Sequence, residues 1–155
     1  MSASELVSLI APVAAFCAGK PVDAALEDAL ARQFPADGPV FAAIAHCLRD
    51  GIADGSLCDR EAGGIRFSRP AKPSPATHGF SVDVVTYGDL AGPHHTHPTG
   101  EIDMIVPLDP PARFDGRGAG WLVYGPGSGH RPTIGGGRAV VLYLLPQGAI
   151  QFTGA

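Results

Sequence analysis

The ten residues Gly92-Pro93-His94-His95-Thr96-His97-Pro98-Thr99-Gly100-Glu101 decide how this chain is read. Residues two apart on an extended chain point to the same side, so His95 and His97 can converge. A turn at Pro98-Thr99-Gly100 then brings Glu101 back from the next strand, giving the spacing His-x-His-x3-Glu. Two imidazoles and one carboxylate suit a divalent transition metal with positions left open for water or substrate. The natural fourth ligand is His130, which follows a strand at the glycine-rich turn Gly125-Pro126-Gly127-Ser128-Gly129. Iron, manganese, zinc and nickel are all compatible with such a set. His94 lacks the alternate spacing with His97 and is given a catalytic role, behind the ligands or facing the substrate. The bland alternative is a histidine-rich surface loop with a solvated Glu101.

Outward from this stretch, composition changes along the chain. Of 21 glycines and 15 prolines in 155 residues, 17 and 11 lie after residue 60, together with five of the six histidines. Residues 1–60 read as a helical segment and residues 61–155 as a turn-rich β unit. Ser2 and Glu5 have capping-box spacing, and Leu6, Ile10, Val13 and Cys17 recur on one helical face. Asp23 caps a second helix through Leu26 and Leu30. Val40, Ile44, Cys47, Leu48 and Ile52 make a third that stops at Gly55. His46 beside this stripe reads as a structural or surface histidine. In the second part, short apolar runs at 79–87, 101–107, 112–115, 120–124, 138–145 and 149–153 are each bounded by Gly, Pro or Asp. That is the signature of a sandwich or barrel. The Gly135-Gly136-Gly137 run has no P-loop lysine and reads as a tight turn.

Charge and cysteine usage exclude several classes. A net charge of -4 with only 11 Lys+Arg lacks the footprint of a nucleic-acid binder. Three cysteines, an odd number without zinc-finger spacing, point to reduced thiols and a cytoplasmic location. No apolar run reaches the roughly 20 residues of a membrane span. Exposed strand edges, which neighbours often cover, point to a homodimer.

The two histidine motifs, with Gly120-x5-Pro126 and Gly127-x2-His130, resemble those of the cupin superfamily. The resemblance implies a mainly β fold, a cupin-like β-barrel or jelly roll with the metal inside, here with an N-terminal α-helical segment packed on it. Gly127 directly follows Pro126 where that superfamily has Pro-x-Gly, and Ile134 stands where an asparagine is usual. A closer resemblance covers nearly the whole chain. The strings LCDREAGGIRF (57–67), GFSVDVV (79–85), GPHHTHPTGEIDMIVPLD (92–109), FDGRGAGWLVYGPGSGHRPT (114–133) and AVVLYLLP (139–146) resemble the 4-hydroxylaminobenzoate lyase family of bacterial nitroaromatic catabolism. This implies conversion of 4-hydroxylaminobenzoate to 3,4-dihydroxybenzoate with release of ammonia. A metal-dependent cupin dioxygenase acting on a small aromatic acid, and a non-catalytic small-molecule-binding cupin, are the alternatives.

Such a substrate sets further requirements. Glu101 and Asp103 share the inward face of one strand with Ile105, so one can ligate while the other serves as acid or base. The alternative for Asp103 is to orient a ligating histidine. The substrate carboxylate calls for a cation, with Arg131 and Arg66 as candidates. Trp121 and Tyr124 are candidates for the aromatic slot. Their opposite parity sends at most one inward and packs the other on the helices. Phe67, Phe80 and Phe114 read as core.

Overall fold

The computed structural model describes residues 2–154. Three helices come first: α1 (Ala3–Cys17), α2 (Ala24–Gln33) and α3 (Pro39–Asp54). Their ends follow from local chemistry. The Ser2 side chain accepts from the Glu5 amide and Asp23 accepts from the Leu26 amide, each satisfying a donor the helix leaves free. Gly55 ends α3 at φ 80, a left-handed conformation that disfavours any side chain.

Ten strands follow. β1 (Arg60–Ala62), β2 (Ile65–Ala71), β3 (Phe80–Ala91), β5 (Glu101–Pro107), β7 (Gly120–Tyr124) and β9 (Thr133–Pro146) form the larger sheet in the order β1-β2-β3-β9-β5-β7, with β6 (Arg113–Phe114) also paired to β9. β4 (His95–His97), β8 (Ser128–His130) and β10 (Gln151–Phe152) form a smaller sheet, β10-β4-β8. Every pairing is antiparallel. The chain is mainly β with a helical layer at its N-terminus, as the sequence implies.

The larger sheet is buried on both faces, and parity decides which side chain goes where. Ile102, Met104, Val140, Leu142 and Leu144 join Leu6, Ile10, Ile44 and Leu48 of the helices in one core. Ile105, Val141, Tyr143 and Leu145 turn the other way, into a second core with Tyr87 and Phe114. Each fully buried aliphatic side chain contributes roughly 1.5–3 kcal/mol, so the helical layer contributes substantially to barrel stability. Leu6, Ile10, Val13, Cys17, Leu26, Leu30, Ile44, Cys47 and Leu48 are buried as their spacing implies, whereas Val40 and Ile52 are only partly buried and Phe41 packs inward on α3 instead.

Two stretches depart from expectation. His95 and His97 lie on the short strand β4, the extended geometry their spacing requires, but His130, expected at a glycine-rich turn, lies on the short strand β8. The Gly135-Gly136-Gly137 run is not a tight turn but part of β9. A Cβ at Gly136 would lie 2.7 Å from the Pro111 carbonyl oxygen, and one at Gly137 would lie 2.8 Å from the Asp109 Cβ. The glycines let β9 pass under the 109–112 segment. No helix among the described residues is long and apolar enough to cross a membrane. Cys17, Cys47 and Cys58 are free and buried.

Candidate metal centre and adjoining cavity

Strand register assembles the histidines. His95 on β4 lies opposite His130 on β8, and His97 lies opposite Ser128, so all four side chains share one face of the smaller sheet. Glu101 comes from the other sheet, carried across by the 98–100 turn. Gly100 makes that crossing at φ 92, where a Cβ would lie 2.7 Å from Val22. Thr99 fixes the crossing by donating from its hydroxyl to the Pro146 carbonyl at 2.7 Å.

The side chains meet around Glu101. Its carboxylate oxygens lie 3.6 Å from His95 Nε2, 3.2 Å from His97 Nε2 and 3.5 Å from His130 Nε2. One ligand atom from each residue falls within 4.8 Å of all the others. His97 and Glu101 are fully buried and His95 is nearly so. His97 Nε2 and both Glu101 oxygens have no hydrogen-bond partner within the chain. Buried polar atoms without partners are costly, so a cluster of them converging on one point fits a bound cation.

The outer nitrogens of two histidines are fixed by their neighbours. Ser128 donates its hydroxyl proton to the Gly125 carbonyl at 2.6 Å, so it accepts from His97 Nδ1 at 2.9 Å. Asp115 accepts from His130 Nδ1 at 2.6 Å. Both arrangements place a proton on Nδ1 and turn Nε2 toward Glu101, the nitrogen through which each ring would bind a metal. Asp115 is itself held by the Tyr124 hydroxyl and the Thr133 amide.

The electrostatics favour positive charge at this point. Burial raises the pKa of Glu101, but the imidazoles of His130, His95 and His97 facing its carboxylate more than offset it and hold the carboxyl well below its usual range. Burial lowers the basicity of His130, and Asp115 and Glu101 outweigh this, lifting its pKa to about 9. Asp103 is the opposite case. It is fully buried, and both its oxygens lack a hydrogen-bond partner. Burial and the adjacent Glu101 charge push its pKa well above the usual carboxylate value.

The other sequence-based candidates separate clearly. Tyr124 faces inward, its ring stacked on His97 at 5.5 Å between centroids. Trp121 faces the helices, donating from Nε1 to the Phe34 carbonyl at 2.8 Å and meeting Phe41 edge-on. The structure therefore does not bring Trp121 to the site. His94 points away from the cluster and bonds through Nδ1 to the Thr153 hydroxyl at 2.8 Å. Arg131 is exposed, beyond the end of β8. Arg66 is exposed, donates from Nε to the Cys58 carbonyl, and sits opposite Thr86, on the helix-facing side of the sheet. His46 is exposed beside Asp50, as anticipated.

A cavity of about 480 Å³ adjoins the cluster, with His95 in its wall. Phe67, Tyr87, Tyr143 and Phe152 line it, together with Leu145 and Ile150. Phe67, expected in the core, is thus a wall residue. Phe152 remains 61 % exposed and lies 5.6 Å from the His95 ring. The cavity also contains Arg60, Arg69 and Asp83, which sequence reasoning missed. Asp115 was missed as well, its one sequence signal being the Asp115-Gly116 turn.

Asp115→Asn is expected to weaken metal affinity about 10- to 100-fold while leaving the fold intact, because the His130 ring loses the charged acceptor that holds it. Competition against a chelator with a graded series of metal concentrations measures the shift.

Comparison with known proteins gives a consistent family. The model of the family described as PnbB, 4-hydroxylaminobenzoate lyase, matches residues 8–152. A 4-hydroxylaminobenzoate lyase of Pseudomonas putida is 31% identical over 166 residues, covering 96% of this chain and 94% of that protein. One from Nocardioides sp. (strain LMS-CY) is 35% identical over 118 residues, covering 70% of each. Among solved structures, an RmlC-like cupin protein from Ralstonia eutropha JMP134 is similar with TM-score 0.42 and 12% identity, covering 55% of this chain and 57% of that one. The DMSP lyase DddQ from Ruegeria pomeroyi DSS-3 is similar over 97% of this chain and 96% of its own, with TM-score 0.40 and 18% identity.

Proposed function

Since the chain belongs to the 4-hydroxylaminobenzoate lyase family, we propose that it converts 4-hydroxylaminobenzoate and water to 3,4-dihydroxybenzoate and ammonia, at a metal centre, as a cytosolic homodimer. The observation that carries this reading is the junction of two features. A buried three-histidine, one-glutamate cluster opens through His95 into a cavity walled by aromatic side chains.

The reaction balances without an external oxidant. The N–O bond accepts the electron pair that the ring gives up. The ring carbon beside the nitrogen gains a hydroxyl group, and the nitrogen-bearing carbon exchanges nitrogen for oxygen. A divalent transition metal held by His95, His97, Glu101 and His130 would supply Lewis acidity and a more acidic water.

The chain's own groups account for the rest. Phe67, Tyr87 and Tyr143 give the ring an apolar slot, and Phe152 covers it beside His95. Asp103 holds a proton behind Glu101, available to the departing oxygen through its neighbours. Tyr124, stacked on His97 and bonded to Asp115, keeps the histidines in register. His94 supports the cavity indirectly, by tying the C-terminal strand to β4 through Thr153. The exposed edge strand β10 and its exposed Phe152 support pairing with a second copy.

Incubation of the metal-loaded protein with 4-hydroxylaminobenzoate under strictly anaerobic conditions tests the proposal. Ammonia and 3,4-dihydroxybenzoate should appear in equal amounts. Turnover only after oxygen is admitted would replace the lyase by a dioxygenase, and tight binding without turnover would replace it by a carrier.

A further inference from the structure

The cavity contains two cations, and only one is free. Arg69 donates from Nε to Asp83 at 2.6 Å and from its other end to the Gly148 carbonyl at 3.3 Å. Asp83 is further held by the Ser81 hydroxyl at 2.6 Å, so the charges of Arg69 and Asp83 cancel inside the cavity. Arg60 has no carboxylate or carbonyl partner among the described residues.

Register fixes the direction in which Arg60 points. On antiparallel strands, directly paired residues project from the same face. Arg60 pairs with Phe67, Phe67 with Val85, and Val85 with Val141. Val141 belongs to the inner core, and Phe67 and Val85 both line the cavity. Arg60 therefore ends a row of side chains that crosses the inner face. Arg66 belongs to the neighbouring row, which runs from Glu61 through Thr86 to Val140 and faces the helices.

We infer that Arg60 is the specificity-determining residue that receives the carboxylate of an aromatic acid bound in this cavity. The inference rests on the functional reading above, and it names the group that reading left without a partner. A guanidinium presents paired N–H donors that match a carboxylate, and here no internal acid competes for them. The apolar wall between Arg60 and His95 places the aromatic ring between the two ends of the substrate. The acid group is held at β1, and the substituent opposite it is directed to the metal cluster.

Calorimetric titration of the metal-loaded protein with benzoate and with the neutral benzamide tests this, using Arg60→Ala, Arg60→Lys and Arg69→Ala. Arg60→Ala should weaken benzoate binding about tenfold or more and leave benzamide unchanged, with Arg60→Lys recovering part of the loss. In turnover, KM for 4-hydroxylaminobenzoate should rise with kcat little altered. Equal loss of both ligands, no loss of benzoate binding, or a larger selective loss in Arg69→Ala would overturn the assignment. A parent protein that prefers benzoate through Arg60 yet releases no ammonia would refute the lyase reading and leave the role of Arg60 standing.

Discussion

A Glu101→Gln variant is expected to purify without a bound transition metal and to turn over at least about a thousandfold more slowly than the parent, a loss of ~4 kcal/mol in transition-state stabilisation. Glu101 is the one anion among three imidazoles, and each of its oxygens faces at least one Nε2 across less than 4 Å. Glutamine keeps the shape and removes the charge, so the variant folds while the cluster loses its attraction for a cation. Elemental analysis and the anaerobic ammonia assay read the two effects separately. Retention of both metal and rate would take Glu101 out of the ligand set.

Asp103→Asn gives the second large effect, with the opposite division between metal and rate. Its carboxyl is fully buried and without a hydrogen-bond partner, and it shares the inner face of β5 with Glu101. Asparagine fills the same volume but has no acidic proton to pass on. Turnover should fall about 10²- to 10⁴-fold, the usual range for losing an acid–base group, while metal content stays at the parental level. Loss of metal in step with activity would instead make Asp103 a support for the ligands. Thermal unfolding of the variant should match or exceed that of the parent, since burying a neutral amide is no harder than burying an unpartnered acid.

Three residues of the cluster were legible because their spacing is local. His95 and His97 needed only strand alternation, and Glu101 needed one three-residue turn. His130 was legible from its own glycine-rich turn, although its meeting with His95 depends on β4–β8 pairing across 35 residues. Of these two strands β8 was itself hidden. Three residues at a glycine-rich stretch carry no periodic signal, and β8 is extended because it pairs with β4, which β10 flanks on its other side. Asp115 was illegible for a different reason. It reaches His130 from a turn in a left-handed conformation, φ 48, which no pattern of hydrophobic residues encodes.

The arginine error is instructive in the same terms. Arg66 is a sequence candidate for the substrate carboxylate, but its neighbour Phe67 lines the cavity, and adjacent residues on a strand cannot face the same way. With the Gly63-Gly64 turn read as a hairpin, Arg60 falls opposite Phe67 and Arg66 falls outside. The parity that separated Trp121 from Tyr124 correctly would have separated these two. The helices were the clearest part of the reading, because caps and apolar faces are written within a few residues of one another.

The double burial of β5 bears on how this family can change over time. Glu101, Asp103 and Ile105 face one core while Ile102, Met104 and Val106 face the other. Deleting one codon between His97 and Glu101 would exchange the two sets, burying carboxylates against the helices and lining the catalytic side with aliphatics. Length drift in that turn is therefore closed to descendants of this chain, in a way that substitution is not.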